Sequence, residues 1–163
     1  MGDTIQRGAG GGGDRDPVAI AREILDTNRY MTLATADGDG RPWASPVWYA
    51  HQGYTDLLWV SRPGARHSRN LAVRPELAIV IFDSTVPEGS GQAVYVEALA
   101  EEVGEAGREE GIAIFSRRSE AGEGDRWAVA DVTGPAPFRL YRAGASAHFI
   151  LDAHDQRLAV RPG

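Results

Sequence analysis

From Tyr30 to about Val103 the chain is a succession of short β-branched and aromatic runs, each closed by residues that turn a backbone. That rhythm belongs to an antiparallel sheet, because hairpin-linked strands are what such punctuation permits. Tyr30 to Ala36 reads as the first strand, Asp37-Gly38-Asp39-Gly40 as a turn, and Trp43 to Ala50 as the second strand. His51-Gln52-Gly53 turns the chain into a third strand, Asp56 to Ser61. A short helix over Ala65 to Val73 must end at Arg74-Pro75, since the residue before proline disfavours helical backbone. Leu77 to Phe82 and Ala93 to Val103 are further strands on either side of a polar loop. The last has Val94, Val96 and Ala98 on one face and Tyr95, Glu97 and Leu99 on the other, a pattern that suggests burial on both sides.

The flanks are different. Met1 to Arg15, with Gly10-Gly11-Gly12-Gly13, has the composition of a flexible tail. No strand precedes those glycines and no Gly-Lys-Ser/Thr follows, so a phosphate-binding loop is not expected there. Asp16-Pro17 opens an amphipathic helix carrying Ile20, Ile24 and Leu25. Glu105 to Arg118 reads as a second long helix and Trp127 to Val132 as a short third, with strands at Phe138 to Arg142 and Ser146 to Leu151. About six strands with peripheral helices point to a mainly β, barrel-like architecture in one domain over residues 16–163.

Composition narrows the chemistry. All 17 basic residues counted as Lys plus Arg are arginine, which removes Schiff-base lysine mechanisms. A net charge of -6 argues against nucleic acid and anionic lipid as partners. Cysteine is absent, so disulfides and thiolate sites are excluded, and a cytoplasmic location is expected. No apolar run reaches membrane-spanning length. His51, His148 and His154 lack metal-site spacing, and no metal is expected.

The segment Ser61-Arg62-Pro63-Gly64-Ala65-Arg66-His67-Ser68-Arg69-Asn70-Leu71 joins a strand to a helix. A helix N-terminus offers unpaired N–H groups and partial positive charge, and Arg66, His67, Ser68 and Arg69 add donors beside it. Phosphate binding suits this arrangement; a solvated, arginine-bearing surface helix suits the basic cluster equally well.

Strand, Gly-bearing turn, strand, Ser-ending strand and Arg-rich short helix together resemble the flavin-binding core of the pyridoxamine 5′-phosphate oxidase-like split barrels, over roughly Tyr30 to Val103. The resemblance implies a six-stranded antiparallel split β-barrel of the FMN-binding type. It places the family's phosphate-gripping Arg-Lys pair on Arg66 and His67, the second a departure, with Ser68 and Asn70 in the same run. The flavin ring is implied along Ser45, Pro46, Val47, Trp48, Tyr49 and Ala50, with further contacts at Val60 and Ser61. Gln92 falls where the family has a ring-contacting glutamine.

The resemblance further implies a homodimer with the cofactor at the subunit interface, and Trp43, Trp48, Trp59 and Tyr95 supply more aromatic surface than one small barrel readily holds. The implied activity is that of an FMN-dependent oxidoreductase acting on a small molecule. Phe138-Arg139-Leu140-Tyr141-Arg142 resembles only the start of the substrate-binding segment of true pyridoxamine phosphate oxidases, so another substrate is expected. A deazaflavin-dependent reductase is the alternative, since its relatives share an Arg-Asn-Leu run like Arg69-Asn70-Leu71. A non-enzymatic flavin- or haem-binding module is the third reading.

Overall fold

The computed structural model describes residues 15–152 and 154–163, so the expected Gly-rich tail lies outside the described residues except for Arg15. Helix α1 (Pro17–Thr27) starts where the Asp16 carboxylate accepts the Val18 N–H at 3.0 Å, and it buries Ala21, Ile24 and Leu25. The strands are β1 (Tyr30–Ala36), β2 (Pro42–Trp48), β3 (Ala50–Gln52), β4 (Asp56–Ser61), β5 (Glu76–Phe82), β6 (Ala93–Glu102), β7 (Arg139–Leu151) and β8 (Arg157–Val160). Helices α2 (Arg66–Val73) and α3 (Glu105–Ala121) complete the chain, with a 3₁₀ turn at Val129–Val132.

Every pairing is antiparallel, in the order β2-β1-β5-β6-β7-β4-β3, and β8 attaches to the second half of β7. The sheet curls around Met31, Leu33, Tyr49, Leu57, Trp59, Ile79, Ile81, Val94 and Val96, with Leu25 of α1 packed among them. α1 closes the end where β1 begins, and α2 the end where β1 finishes. A second apolar layer, with Leu58, Ile112, Phe115, Val132 and Leu140, lies between β4, β7 and α3. Gly111 lets α3 come this close, for a Cβ there would meet Leu140 Cδ2 at 2.8 Å.

The split-barrel expectation holds, with differences in detail. Eight strands form rather than about six: the second expected strand breaks at Tyr49 into β2 and β3, and β8, only four residues long, was not foreseen. The two expected terminal strands are one, because β7 bulges instead of ending. Ala147 faces Glu97 while Ala145 faces Ala98, and the intervening Ser146 donates its hydroxyl to the Glu97 carbonyl at 3.0 Å. The expected short helix over Trp127 to Val132 is only the 3₁₀ turn. β6 is buried on one face, not both: Glu97 and Leu99 are exposed.

Candidate functional site

The break at Tyr49 opens the barrel. β3 pairs with β4 through Ala50↔Leu58, His51↔Leu57 and Gln52↔Asp56, so the next partners along that ladder would be Trp48 and Val60. Instead β2 turns away and pairs with β1, Trp48 lying opposite Tyr30 and Val47 opposite Met31. Two strand edges are left without a ladder partner and facing the same gap: β2 along Ser45 to Trp48, and β4 along Val60 and Ser61. The N–H and C=O groups along these two edges have no ladder partner, and they define the candidate slot between β2 and β4.

The expected ring-contacting residues divide by position. Pro46 is exposed and Trp48 half-buried, with its ring edge-on to Phe115 at 5.0 Å. Val47 and Ser45 face the barrel interior. Tyr49 and Ala50 are fully interior: the Tyr49 hydroxyl donates to the Leu25 carbonyl at 2.8 Å, and its backbone N–H donates to the Arg29 carbonyl at 3.3 Å. Burial raises the Tyr49 phenol far above the ordinary tyrosine range, so it stays a neutral donor.

At the mouth of the slot sits the first turn of α2. The Arg66 guanidinium lies over the Trp43 ring, 4.4 Å from its centre. Trp43 is fixed from below, since its indole N–H donates to Ser45 Oγ at 2.9 Å and its carbonyl accepts from Thr35 Oγ1 at 3.2 Å. Asn70 in turn donates to Thr35 Oγ1 at 3.0 Å. Ser45 and Asn70 therefore act through Trp43, holding the platform on which Arg66 rests. Arg62 lies over Phe138 at 4.7 Å, and Arg69 bonds the Gly64 carbonyl. Among the described residues none of these three arginines is in an ion pair. The nearby Asp37 carboxylate accepts the N–H groups of Asp39 and Arg41 on its Oδ1, and its pKa is lowered chiefly by the Arg41 N–H bond, with Arg66 close enough to add to the effect.

His67 and Ser68 point the other way. His67 is buried, its Nε2 lies 2.8 Å from Ser61 Oγ, and burial lowers its pKa, favouring the neutral imidazole over the cation. Ser68 is buried and its hydroxyl has no hydrogen-bond partner among the described residues. It lies close enough to Tyr141 to oppose the rise that burial gives that phenol.

Gln92 is exposed just before β6, and the structure does not bring it to the other residues. Ala78 pairs with both Ala34 and Glu97, so Trp43, opposite Thr35, stands level with Ala98. Six residues of strand separate Ala98 from Gln92, roughly 20 Å along the sheet. The outer face between them is floored by Ala34, Ala36 and Ala78 in an open groove of about 700 Å³, with Tyr30, Phe82 and Leu99 exposed.

Sequence reasoning missed the Trp43 platform, the Ser61–His67 pair and the Thr35–Asn70 bond. Only the alternation of β1 and β2, which puts Thr35, Trp43 and Ser45 on one face, hinted at the first of these. The remaining histidines serve the scaffold or the surface. His51 sits 3.0 Å from Asp26 and is held low mainly by burial, and His148 sits 2.9 Å from the Tyr54 carbonyl. No cluster fit to hold a metal occurs among the described residues.

The sequence pattern of the pyridoxamine 5′-phosphate oxidase family matches residues 19–146. No protein of curated function matches the sequence. Among solved structures, a haem-binding protein from Mycobacterium smegmatis is similar at TM-score 0.72 and 20% identity over 92% of this chain, which spans only 60% of that protein. A FAD-binding protein from Mesorhizobium loti is similar at TM-score 0.59 and 20% identity, covering 81% of this chain and 91% of that one. An F420 reductase gives TM-score 0.58 and 21% identity, covering 78% of this chain and 94% of that one. At these identities the likeness is one of fold.

Proposed function

The chain belongs to the pyridoxamine 5′-phosphate oxidase family, and from that premise we propose that the slot between β2 and β4 holds flavin mononucleotide in an oxidoreductase acting on a small molecule. The observation that carries this reading is the slot's construction: two strand edges without a ladder partner, leading to the start of α2, where Arg62, Arg66 and Arg69 are in no ion pair among the described residues. A flavin has the matching parts, a flat ring with a hydrogen-bonding edge and a phosphate.

In this reading Arg66 holds the phosphate, with the first N–H groups of α2 and with Arg69 or Arg62 in place of the lysine that His67 replaces. The backbone edges of Ser45 to Trp48 and of Val60 and Ser61 orient the ring, and Trp48 and Val60 keep water from one side of it. His67 fixes the Ser61 hydroxyl beside the ring. When bound, the flavin itself supplies the hydride or electron transfer.

Gln92 joins the site from a second copy. Two chains packed through the alanine-floored outer face and turned end for end bring the far end of one sheet over the arginine turn of the other. A homodimer with the cofactor at its interface is thus part of the same proposal, as is a cytoplasmic location; no helix among the described residues is long and apolar enough to cross a membrane.

A deazaflavin is the second reading, supported by the likeness to an F420 reductase. Haem is less well served, because the imidazole nearest the slot, His67, is already bonded to Ser61. Releasing and identifying the co-purifying cofactor tests all three. A yellow protein yielding flavin mononucleotide is expected; a deazaflavin or haem in its place overturns the proposal.

A further inference from the structure

Away from the slot, the chain between α3 and β7 forms a second concavity. Asp125, Trp127, Asp131, Pro137 and Phe138 line an open cleft of about 450 Å³ floored by alanines. That volume falls in the range that takes one small organic molecule.

The cleft is preformed although its segment is largely irregular. The Trp127 N–H donates to Ser116 Oγ at 2.8 Å, and Thr133 Oγ1 donates to the Val129 carbonyl at 2.9 Å. Arg139 folds back to donate to the carbonyls of Gly134 at 2.9 Å, Ala136 at 2.7 Å and Phe138 at 2.6 Å. A loop fixed in this way loses little freedom when a ligand arrives.

Its walls are aromatic. Trp127 and Phe138 meet edge to face at 5.5 Å, both half-buried, and Phe115 backs Trp127 at 5.8 Å. Two carboxylates stand beside them. Asp131 uses one oxygen to accept the Ala128 N–H at 2.8 Å, while its other oxygen and all of Asp125 have no partner among the described residues. The lining itself holds one guanidinium, Arg126, against those two carboxylates, and a second, Arg62, lies over the Phe138 ring at 4.7 Å.

We propose that this cleft binds a planar aromatic amine, its ring against Trp127 and Phe138 and its cationic nitrogen toward Asp125 and Asp131. The cleft adjoins the slot where Arg62 lies over Phe138 and where Phe115 meets both Trp48 and Trp127, but its lining residues are not those of the slot, and the inference does not require the flavin reading.

Tryptamine and indole-3-acetate, one ring with opposite charges, test it on the full-length protein. The readout is the indole N–H resonance of each of the four tryptophans. Tryptamine shifts the Trp127 resonance and leaves that of Trp43 in place, indole-3-acetate binds about tenfold more weakly, and Asp125→Asn with Asp131→Asn removes that preference. Both substitutions are on exposed residues, and a melting curve verifies that the fold is kept. Equal binding of the two probes, binding of neither, or a tryptamine response that bypasses Trp127 overturns the proposal.

Discussion

Two arginines stacked on aromatic rings mark two ends of the barrel and do different work. Arg118 lies 5.1 Å over Tyr49, and its Nη2 donates to the carbonyls of Leu25 at 2.9 Å, Asp26 at 3.1 Å and Asn28 at 2.9 Å. Those carbonyls belong to the C-terminal end of α1, which no longer has helical partners for them, so the guanidinium is the clasp that holds α1 on the barrel. Arg66 lies over Trp43 at a similar distance, 4.4 Å, yet no hydrogen bond to the chain fixes its guanidinium among the described residues. An arginine whose donors are committed to its own backbone stabilises the fold. One held only by its face keeps those donors for a ligand.

Substitution should separate the two. Arg118→Ala leaves the Asp26 and Asn28 carbonyls without that donor and the Leu25 carbonyl with the Tyr49 hydroxyl alone, and is expected to cost about 3 kcal/mol, lowering the melting temperature by roughly 6–12 °C in thermal denaturation. Tyr49→Phe removes only the hydroxyl bond to the same Leu25 carbonyl and should cost about 1 kcal/mol in denaturant unfolding. A loss for Tyr49→Phe as large as that for Arg118→Ala would mean that the tyrosine, not the arginine, is the clasp. Arg66→Ala should cost no more than about 1 kcal/mol, the worth of an exposed cation–π contact, in the same measurement.

Acid probes the comparison from another side. His67 lies at the arginine turn, while His51 and His148 belong to the α1 and C-terminal side, and burial lowers the pKa of all three. A folded-state pKa below the unfolded one means that the unfolded chain binds more protons, so stability falls as pH drops below about 6.5 and continues to fall through the folded values. Melting temperature against pH should therefore decline from neutral toward about pH 5. His67→Gln, which can still reach Ser61, should flatten part of that slope; an unchanged slope would mean that His67 does not titrate with folding.

Much of this was legible beforehand. The period-two alternation of β1, the turn at Asp37 to Gly40, and the proline that ends α2 are local signals, and each element formed where they placed it. The departures came from distance. Nothing in the run Trp43 to Ala50 says that Tyr49 must reach Leu25, although that inward anchor is where β2 and β3 part. β7 looked like two strands because the stretch between them, Ala143-Gly144-Ala145, is small and carries no strand-forming side chain, and only pairing with β6 carries it across Ser146. At the site, the arginine cluster at the start of α2 was readable from the sequence. Chemistry alone made His67 a donor to phosphate; the proximity of Ser61 Oγ turned it inward instead.

Titration of cofactor-free protein with flavin mononucleotide, followed by flavin fluorescence, tests the slot and its arginine turn most directly. Wild-type protein should bind, Arg118→Ala should bind as well wherever it remains folded, and Arg66→Ala should bind about 10- to 100-fold more weakly with its melting temperature nearly unchanged. Arg66→Ala protein that binds flavin mononucleotide as tightly as the wild type would contradict the assignment.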